Sequence, residues 1–328
     1  MKVGFFTVNP NFAGPLLKEL RSRHEVRCWI NSNSQEFNLV NLHSLLEWSD
    51  VAFFEFCQSP LPEATYFQGI DTPIVARLQG IEIYHYMENI KWNRVKLLIT
   101  SIPQMMRLSK LNLPLPRVEV LPLGTDPDFF TPPENRIPGK CITTIGLVSP
   151  RKRVYTTIQT LAPILGDWKL YIRGEFSGFR DEELVEYKSH ILELIETLGV
   201  EDSVKFIPGP PGGNQEEYRA FLRAMDIVVS NSTQEGYHVS VFDAMACGVH
   251  PLINCWLGAD RLFPSYSIFR SQTELLQKVV QWDLAPVSRK LELAKLAREH
   301  VIAGGHDNKL VAKRIVDLLE EVASGKKE

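Results

Sequence analysis

Residues 226–256 read DIVVSNSTQEGYHVSVFDAMACGVHPLINCW. In this stretch a helix-like run lies between two strand-like runs, and that pattern decides the fold class. DIVVSNS and HPLINCW are short apolar runs typical of buried strands. VFDAMACG between them predicts a helix that begins near Ser240 and ends at Gly248. Strand, helix and strand in this order predict a parallel βαβ unit. Two acids, Glu235 and Asp243, flank the start of the helix.

The same alternation extends over the rest of the chain. Near-continuous apolar runs predict strands at Lys2–Val8, Glu25–Ile30, Asp50–Phe56, Pro73–Leu78, Lys96–Thr100 and Val118–Leu123. The stretch TPPENRIPGK (131–140) then predicts a linker. Further strands are predicted in CITTIGLV, KLYIRG and SVKFIPG, and helices over 181–199 and 307–323.

These elements predict an α/β protein with two doubly wound, Rossmann-like domains that face each other across a cleft. The first domain is predicted to cover residues 1–133 and the second 134–306, with a C-terminal helix in 307–328. Ligands of such folds bind at the carboxyl ends of the strands. We therefore expect the functional residues in the loops that follow the strands.

Composition excludes several classes of protein. The formal net charge is -3, so the chain lacks the excess of basic residues that is typical of nucleic-acid-binding proteins. The five cysteines show no paired C-x-x-C spacing, and the eight histidines show no H-x-x-x-H spacing, so neither disulfides nor a metal site is predicted. No apolar run is long enough to span a membrane. We expect a cytoplasmic protein.

The turn before the helix of the opening stretch predicts an anion site. Gly236 permits a sharp turn, and the backbone amides of Tyr237–Ser240 would then lie at the positive end of the helix dipole. A phosphate between two acids suits a nucleoside diphosphate sugar, which has hydroxyls at both ends. An alternative stays open for Asp243: Ser240 and Asp243 also fit a capping box, which needs no ligand.

Several motifs in the same order along the chain resemble one family. STQEGYHVSVFD resembles an E-x7-E region, with Glu235 as the first acid and Asp243 in place of the second glutamate. CITTIGLVSPRKRVYTTIQTL has a glycine followed six residues later by a lysine, Gly146 and Lys152. LPLGTDPDFFTP and ARLQGIEIYHYMENIKWNRVKLLITSIPQM lie before the linker. Together they resemble the retaining GT-B glycosyltransferases of family 4.

The resemblance implies roles for these residues. Lys152 would contact the donor diphosphate and stabilise the leaving group, and Glu235 would bind hydroxyls of the transferred sugar and support charge at its anomeric carbon. Asp243 would bind the ribose. The backbone groups implied for phosphates and sugar are those of Gly236, Tyr237, His238, Val239 and Ser240, and those implied for the base are at Ile207 and Pro208. The C-terminal helix would return to the first domain.

The chain also departs from the family pattern. Leu147 replaces the usual arginine after Gly146, a loss for which Arg151 or Arg153 would compensate. Gln79 replaces a histidine that contacts the sugar near the reacting centre, and glutamine cannot become cationic. The first loop, NPNFAG (9–14), offers Asn11 and Gly14 on the acceptor side. His85 and the His238 side chain are alternative polar groups.

Two hypotheses follow. The first is a retaining hexosyltransferase that uses a UDP- or GDP-sugar, an acceptor hydroxyl and neither metal nor cofactor. The second is a nucleotide-sugar-binding module of the same fold without turnover, which the changes at Leu147 and Gln79 favour. A nicotinamide dehydrogenase is disfavoured, because no G-x-G-x-x-G follows a predicted strand. The sequence predicts neither the acceptor nor the oligomeric state.

Overall fold

The structure is a computed structural model that describes residues 1–10, 13–30, 38–176, 181–209 and 214–325. The chain divides into two compact units. Unit 1 contains residues 1–124 and the chain from Asp307 onward, and unit 2 contains Thr125–His306. Unit 2 is therefore an insertion in the sequence of unit 1. Its two ends meet, since Thr125 N donates a hydrogen bond to His306 O at 2.8 Å.

Unit 1 is built on a parallel six-stranded sheet of order β2-β1-β3-β4-β5-β6. Its strands are β1 (Lys2–Thr7), β2 (Glu25–Ile30), β3 (Val51–Phe54), β4 (Ile74–Leu78), β5 (Val95–Thr100) and β6 (Arg117–Val120). Its helices are α1 (Gly14–Arg23), α2 (Leu39–Trp48), α3 (Leu61–Tyr66), α4 (Ile102–Leu108) and α12 (Asn308–Ala323). The strand order changes direction between β1 and β3.

Both faces of this sheet are buried, because successive strand residues point to opposite sides. Phe5 lies in the core under α1 and α12, whereas Phe6 lies in the core under α2. The last helix, α12, contributes Ile315 and Leu319 to the first of these cores. The C-terminal segment therefore packs within unit 1.

Unit 2 has a second parallel six-stranded sheet, of order β12-β11-β10-β7-β8-β9. Its strands are β7 (Cys141–Ile145), β8 (Lys169–Arg173), β9 (Val204–Ile207), β10 (Ile227–Ser230), β11 (His250–Asn254) and β12 (Ile268–Phe269). Its helices are α5 (Val154–Leu161), α6 (Asp181–Leu198), α7 (Gln215–Arg223), α8 (Val239–Ala246), α9 (Ala259–Leu262), α10 (Gln272–Leu284) and α11 (Val287–Ala303). The strand order reverses between β7 and β10.

Residues 125–131 explain why unit 2 begins earlier than the predicted boundary at 133/134. Arg298 donates to the Phe130 carbonyl at 2.8 Å, and Arg223 donates to the Thr131 carbonyl at 2.7 Å. These arginines belong to α11 and α7, and hydrogen bonds from guanidinium groups hold the segment on unit 2. Proline and glycine content indicated a linker over 131–140 but carried no information about the partners of residues 125–131.

The predicted fold class is confirmed: both units are parallel α/β layers, and the predicted strands coincide with observed ones except for differences of a few residues at their ends. The two-residue strand β12 was missed, because so short a segment has no detectable periodicity. In the described part of the chain, no helix has the length and hydrophobicity that crossing a membrane requires.

Candidate functional site

The switch point of unit 2 brings two loops together at the carboxyl ends of β7 and β10. The loop after β7 carries Lys152, and the loop after β10 carries Glu235. The neighbouring loops after β7 and β8 also lie close to each other. A Cβ on Gly174, which follows β8, would be 2.1 Å from the carbonyl oxygen of Gly146, which follows β7, and Gly174 has a φ of +150°. Glycine at 174 therefore permits the close approach of the loops after β7 and β8.

Five side chains, those of Arg151, Lys152, Ser232, Glu235 and His238, form what we call the Glu235 cluster. One carboxylate oxygen, Glu235 Oε1, accepts from Ser232 Oγ at 2.6 Å and lies 2.7 Å from Lys152 Nζ. Arg151 Nη1 lies 2.9 Å from the same oxygen. Lys152 and Glu235 are each about 9% exposed, whereas the Arg151 side chain is 35% exposed. The predicted lysine and first acid thus form a buried ion pair.

Burial and charge act in opposite directions on this pair. Burial favours the neutral form of Glu235, but the nearby positive charges, Lys152 foremost, outweigh it and hold the pKa of the carboxyl far below its ordinary value. Burial also lowers the pKa of Lys152, and Glu235 offsets part of that effect. Glu235 is therefore ionised at neutral pH.

His238 connects the helix start to the ion pair. It is the N-cap residue of α8 and has left-handed backbone angles, φ 74° and ψ 61°. Its Nδ1 lies 2.8 Å from Ser230 Oγ and its Nε2 lies 3.1 Å from Lys152 Nζ. Burial, followed by the charge of Lys152, lowers the pKa of His238 to about 4, so the imidazole is neutral at pH 7.

The helix begins at Val239, one residue before the predicted start. The amides of a first helical turn lack partners inside the helix, so Val239 and Ser240 place N–H groups beside the Glu235 cluster. Tyr237 has a structural side chain: it stacks on Phe242 with centroids 4.5 Å apart, and its hydroxyl lies 2.5 Å from His306 Nδ1. Its predicted contribution to a ligand is confined to the backbone.

Asp243 makes contacts other than those of the capping-box alternative. Because His238 is the N-cap, Ser240 lies inside the helix and the Ser240–Asp243 box does not form. The buried Asp243 carboxyl instead accepts hydrogen bonds from Thr125 Oγ1 and from the Tyr218 hydroxyl. Burial raises the pKa of Asp243 to about 7, and these two donors only partly offset it.

The remaining predicted donor residues of unit 2 lie in the loop after β7 and at the end of the edge strand β9. Arg151 also donates to the Gln234 carbonyl at 2.8 Å, whereas Arg153 is the N-cap of α5 with φ 55°. Leu147 is 50% exposed and leaves its position without a cation. Ile207 ends β9, and its carbonyl accepts from Gly174 N at 2.9 Å, which places Pro208 beside the glycine contact.

Gln79 lies in unit 1, within a buried polar group that the sequence reasoning missed. This Glu55 cluster consists of Glu55, Arg77, Gln79, Glu82 and Gln104. Gln79 Nε2 donates to Glu55 Oε1, and Arg77 Nη1 lies 3.4 Å from that oxygen. Glu55 Oε2 has no hydrogen-bond partner in the part of the chain that the structure describes. The only available signal was a glutamate in the apolar run VAFFEF.

The pKa values of this cluster differ from those in unit 2. Glu55 is fully buried, and burial raises its pKa to about 7 although Arg77 and Gln79 oppose the shift. Burial also raises the pKa of Glu82, whose oxygens accept from the backbone amides of Gln79 and Gly80. Gln79 thus donates to a buried carboxyl whose pKa is raised to about 7.

The predicted acceptor-side residues belong to the first loop of unit 1 and the start of α1. Gly14 is the first residue of α1, and a Cβ there would meet no described atom within 4 Å. Asn11 lies outside the described residues. His85 is exposed between Tyr84 and Tyr86. Within the described ranges, no group of three or more His, Cys, Asp and Glu side chains is arranged to hold a metal ion.

Known proteins resemble this chain in sequence over part of its length. Residues 139–255 match the family model described as Glycosyl transferases group 1. D-inositol 3-phosphate glycosyltransferase of Salinispora arenicola is 29% identical over 167 residues, which cover 43% of this chain and 35% of that protein. GDP-mannose:cellobiosyl-diphosphopolyprenol alpha-mannosyltransferase of Xanthomonas oryzae is 26% identical over 42% of this chain and 34% of its own length. The matches thus span about a third of these curated relatives.

Solved structures resemble the chain over nearly its whole length. Anabaena HepE in complex with UDP-glucose has a TM-score of 0.75 at 16% identity, and the alignment covers 98% of this chain and 100% of HepE. At this identity the likeness establishes the fold. Residues 139–255 are therefore similar to a group 1 glycosyl transferase domain, in a chain that has the GT-B fold.

Proposed function

We propose that this protein transfers a hexose from a UDP- or GDP-sugar to an acceptor hydroxyl, with retention of configuration and without a metal ion. The observation that carries the proposal is the Glu235 cluster, which joins a buried lysine, a buried glutamate and a helix start at the switch point of unit 2. An anion-binding helix start beside fixed cations suits a diphosphate.

Charge supports the proposed diphosphate role. With His238 neutral, Arg151 and Lys152 together exceed Glu235 by one positive charge. When the bond between the anomeric carbon and the phosphate oxygen breaks, its electron pair moves to that oxygen. Cations at that point stabilise the developing charge, the function that a divalent ion serves in other transferases.

Glu235 is proposed to face the sugar. It is ionised at neutral pH, so it can accept hydrogen bonds from sugar hydroxyls and stabilise positive charge at the anomeric carbon. Retention requires the acceptor oxygen to bond on the face that the diphosphate leaves. We propose that the departing phosphate oxygen takes the acceptor proton, so that no further base is needed.

The proposal assigns three further contacts to the substrates. Asp243 is proposed to bind the ribose, although its carboxyl already accepts from Thr125 and Tyr218. The main chain at Ile207 and Pro208 is proposed to hold the base. Gln79 is proposed as a substrate contact in unit 1. HepE binds UDP-glucose and the Xanthomonas relative is named for GDP-mannose, so both bases are candidates.

A second function, nucleotide-sugar binding without turnover, is favoured by two particular residues. Leu147 supplies no positive charge beside Gly146, and Gln79 cannot become cationic. Both losses would reduce stabilisation of the transition state more than binding of the ground state.

Calorimetric titration tests the proposal directly. The protein is titrated in EDTA with UDP, GDP, UDP-glucose and GDP-mannose, with NAD as the unrelated dinucleotide. We expect one nucleotide to bind, and Lys152→Met to weaken it at least tenfold, whereas Lys205→Met, at an exposed position of unit 2, leaves it unchanged. Failure of every nucleotide to bind would refute both functions.

Turnover then separates the two functions. Slow hydrolysis of the bound nucleotide sugar, followed by ¹H NMR of the released sugar, reports the first anomer formed. Release of the donor's own anomer supports the retaining transferase. Binding without hydrolysis, and without transfer to any of a panel of sugar and lipid-linked acceptors, supports the binding module.

A further inference from the structure

Among the residues that the structure describes, the ammonium group of Lys152 has two close acceptors, one a carboxylate oxygen and the other an imidazole nitrogen. Glu235 Oε1 lies 2.7 Å from Nζ, and His238 Nε2 lies 3.1 Å from it. An ammonium has three N–H donors. These two contacts use two of the donors and fix the direction of the third.

The tautomer of His238 follows from these contacts. A lysine ammonium can only donate, so Nε2 must be the unprotonated nitrogen, and the proton lies on Nδ1. Ser230 Oγ lies 2.8 Å from Nδ1 and can accept a hydrogen bond from the Nδ1–H group. The Ile145 carbonyl lies 3.3 Å from Nε2, a longer contact that would favour the opposite tautomer. The shorter, charge-assisted contact with Lys152 determines the assignment.

The backbone at position 238 has left-handed angles, which glycine adopts more readily than histidine. Left-handed angles favour glycine, and asparagine after it. Histidine there costs conformational energy, which its side-chain contacts must offset. The charged groups that face the imidazole are Lys152, Glu235 and Arg151, and all three belong to the Glu235 cluster.

We propose that His238 is a positioning residue: its neutral Nδ1–H imidazole, anchored by Ser230, holds the Lys152 ammonium so that its third N–H is directed at the donor diphosphate. The proposal rests on the proposed function in so far as Lys152 contacts the diphosphate. Its first half concerns a hydrogen bond of the ligand-free protein and can be tested without any ligand.

The tautomer is measured by NMR. Long-range ¹H–¹⁵N correlation spectra of ¹⁵N-histidine-labelled protein at pH 7 distinguish the two neutral tautomers and the imidazolium, and loss of one spin system in His238→Asn assigns the residue. We expect the Nδ1–H tautomer. An Nε2–H tautomer or an imidazolium would overturn the proposal, whether or not a nucleotide binds.

Three substitutions separate the side chain from the backbone. His238→Gln places an amide where Nε2 was, His238→Asn places one where Nδ1 was, and His238→Gly keeps the left-handed backbone without either group. If the contact with Lys152 matters, Asn and Gly weaken binding of UDP, or of GDP if the wild type prefers it, about tenfold, and Gln recovers most of the affinity.

The opposite order of affinities would refute the proposal. If position 238 serves only the turn, Gly and Asn bind the nucleotide best and Gln binds it worst, because Gln tolerates left-handed angles poorly. Thermal unfolding of each variant shows whether it is folded. If the wild type binds neither nucleotide, the proposed function fails, while the tautomer measurement still decides the position of the His238 proton.

Discussion

Two buried glutamates, Glu235 in unit 2 and Glu55 in unit 1, follow central strands of similar sheets, but their pKa values are shifted in opposite directions. Glu235 lies within 3 Å of two cationic groups, and its pKa is held far below the ordinary value. Glu55 lies 3.4 Å from a single guanidinium, and burial raises its pKa to about 7. Both follow β-strands at the switch points of their sheets, so position in the fold does not account for the difference.

The difference teaches that the neighbouring charges, rather than burial, decide whether a buried carboxyl is ionised. Asp243 is an intermediate case: it is buried and accepts from two neutral hydroxyls, and its pKa rises to about 7. Neutral donors therefore do not replace a cation. The three carboxyls form a series that substitutions can test.

The largest expected effect comes from removing the cation of the Glu235 cluster. Lys152→Ala leaves Glu235 buried with the partly exposed Arg151 as its remaining close cation, and we expect unit 2 to lose about 4 kcal/mol of stability. Urea unfolding, followed by thiol labelling of the buried Cys247, measures this unit alone.

Two further variants interpret the Lys152 result. Lys205→Ala, at an exposed position, should change the stability by less than about 0.5 kcal/mol. Lys152→Met combined with Glu235→Gln removes both charges and should restore part of the lost stability. If Lys152→Ala is as stable as the Lys205 control, the pair contributes nothing and the comparison with Glu55 fails.

The next effect is a pH dependence in unit 1. The pKa of Glu55 is higher in the folded state than in the unfolded chain, so its contribution to stability is present at low pH and is lost as the pH rises towards 7. The free energy of unfolding of Glu55→Gln, measured relative to wild type, should therefore increase by about 3 kcal/mol from pH 5 to pH 8.

The measurement uses Cys57, a buried thiol in unit 1, which is labelled during urea unfolding with a disulfide reagent active at pH 5. Glu88→Gln, at an exposed position, is the matched control and should differ from wild type by the same amount at both pH values. Glu235→Gln should also differ from wild type by nearly the same amount at both pH values, because the depressed pKa of Glu235 makes its contribution complete above the ordinary value, and that contribution is lost only as the pH falls below it. If the stability of wild type and that of Glu55→Gln change with pH in parallel, the raised pKa of Glu55 is contradicted.

The smallest effect concerns the intermediate case. Thr125→Val removes one hydrogen bond to Asp243, so we expect unit 2 to lose about 1 kcal/mol and the pKa of Asp243 to rise further. Labelling of Cys247 gives the stability, and ¹³C NMR of the carboxyl gives the pKa. Thr197→Val, on the exposed side of α6, is the control. An unchanged pKa would show that the Thr125 hydroxyl does not stabilise the ionised form.

The sequence predicted much of the fold, because parallel strands with both faces buried give continuous apolar runs such as VAFF and IVVS. It predicted less of the site. Glu235 was singled out by its place beside the predicted helix start and Lys152 by resemblance, but their ion pair depends on the meeting of loops that are far apart in the chain. The contacts of Asp243 with Thr125 and of Gln79 with Glu55 have no local pattern, since tertiary packing creates them.

The hydrogen bond between Thr125 and His306 has a consequence for how unit 2 can be rearranged. Because the first and last residues of the unit are neighbours, joining them would close the chain without disturbing its sheet. A circular permutant of Thr125–His306 that opens at the exposed turn 201–202 before β9 should keep all six strands in place. The same geometry lets unit 2 be exchanged as a whole between chains through two adjacent peptide junctions.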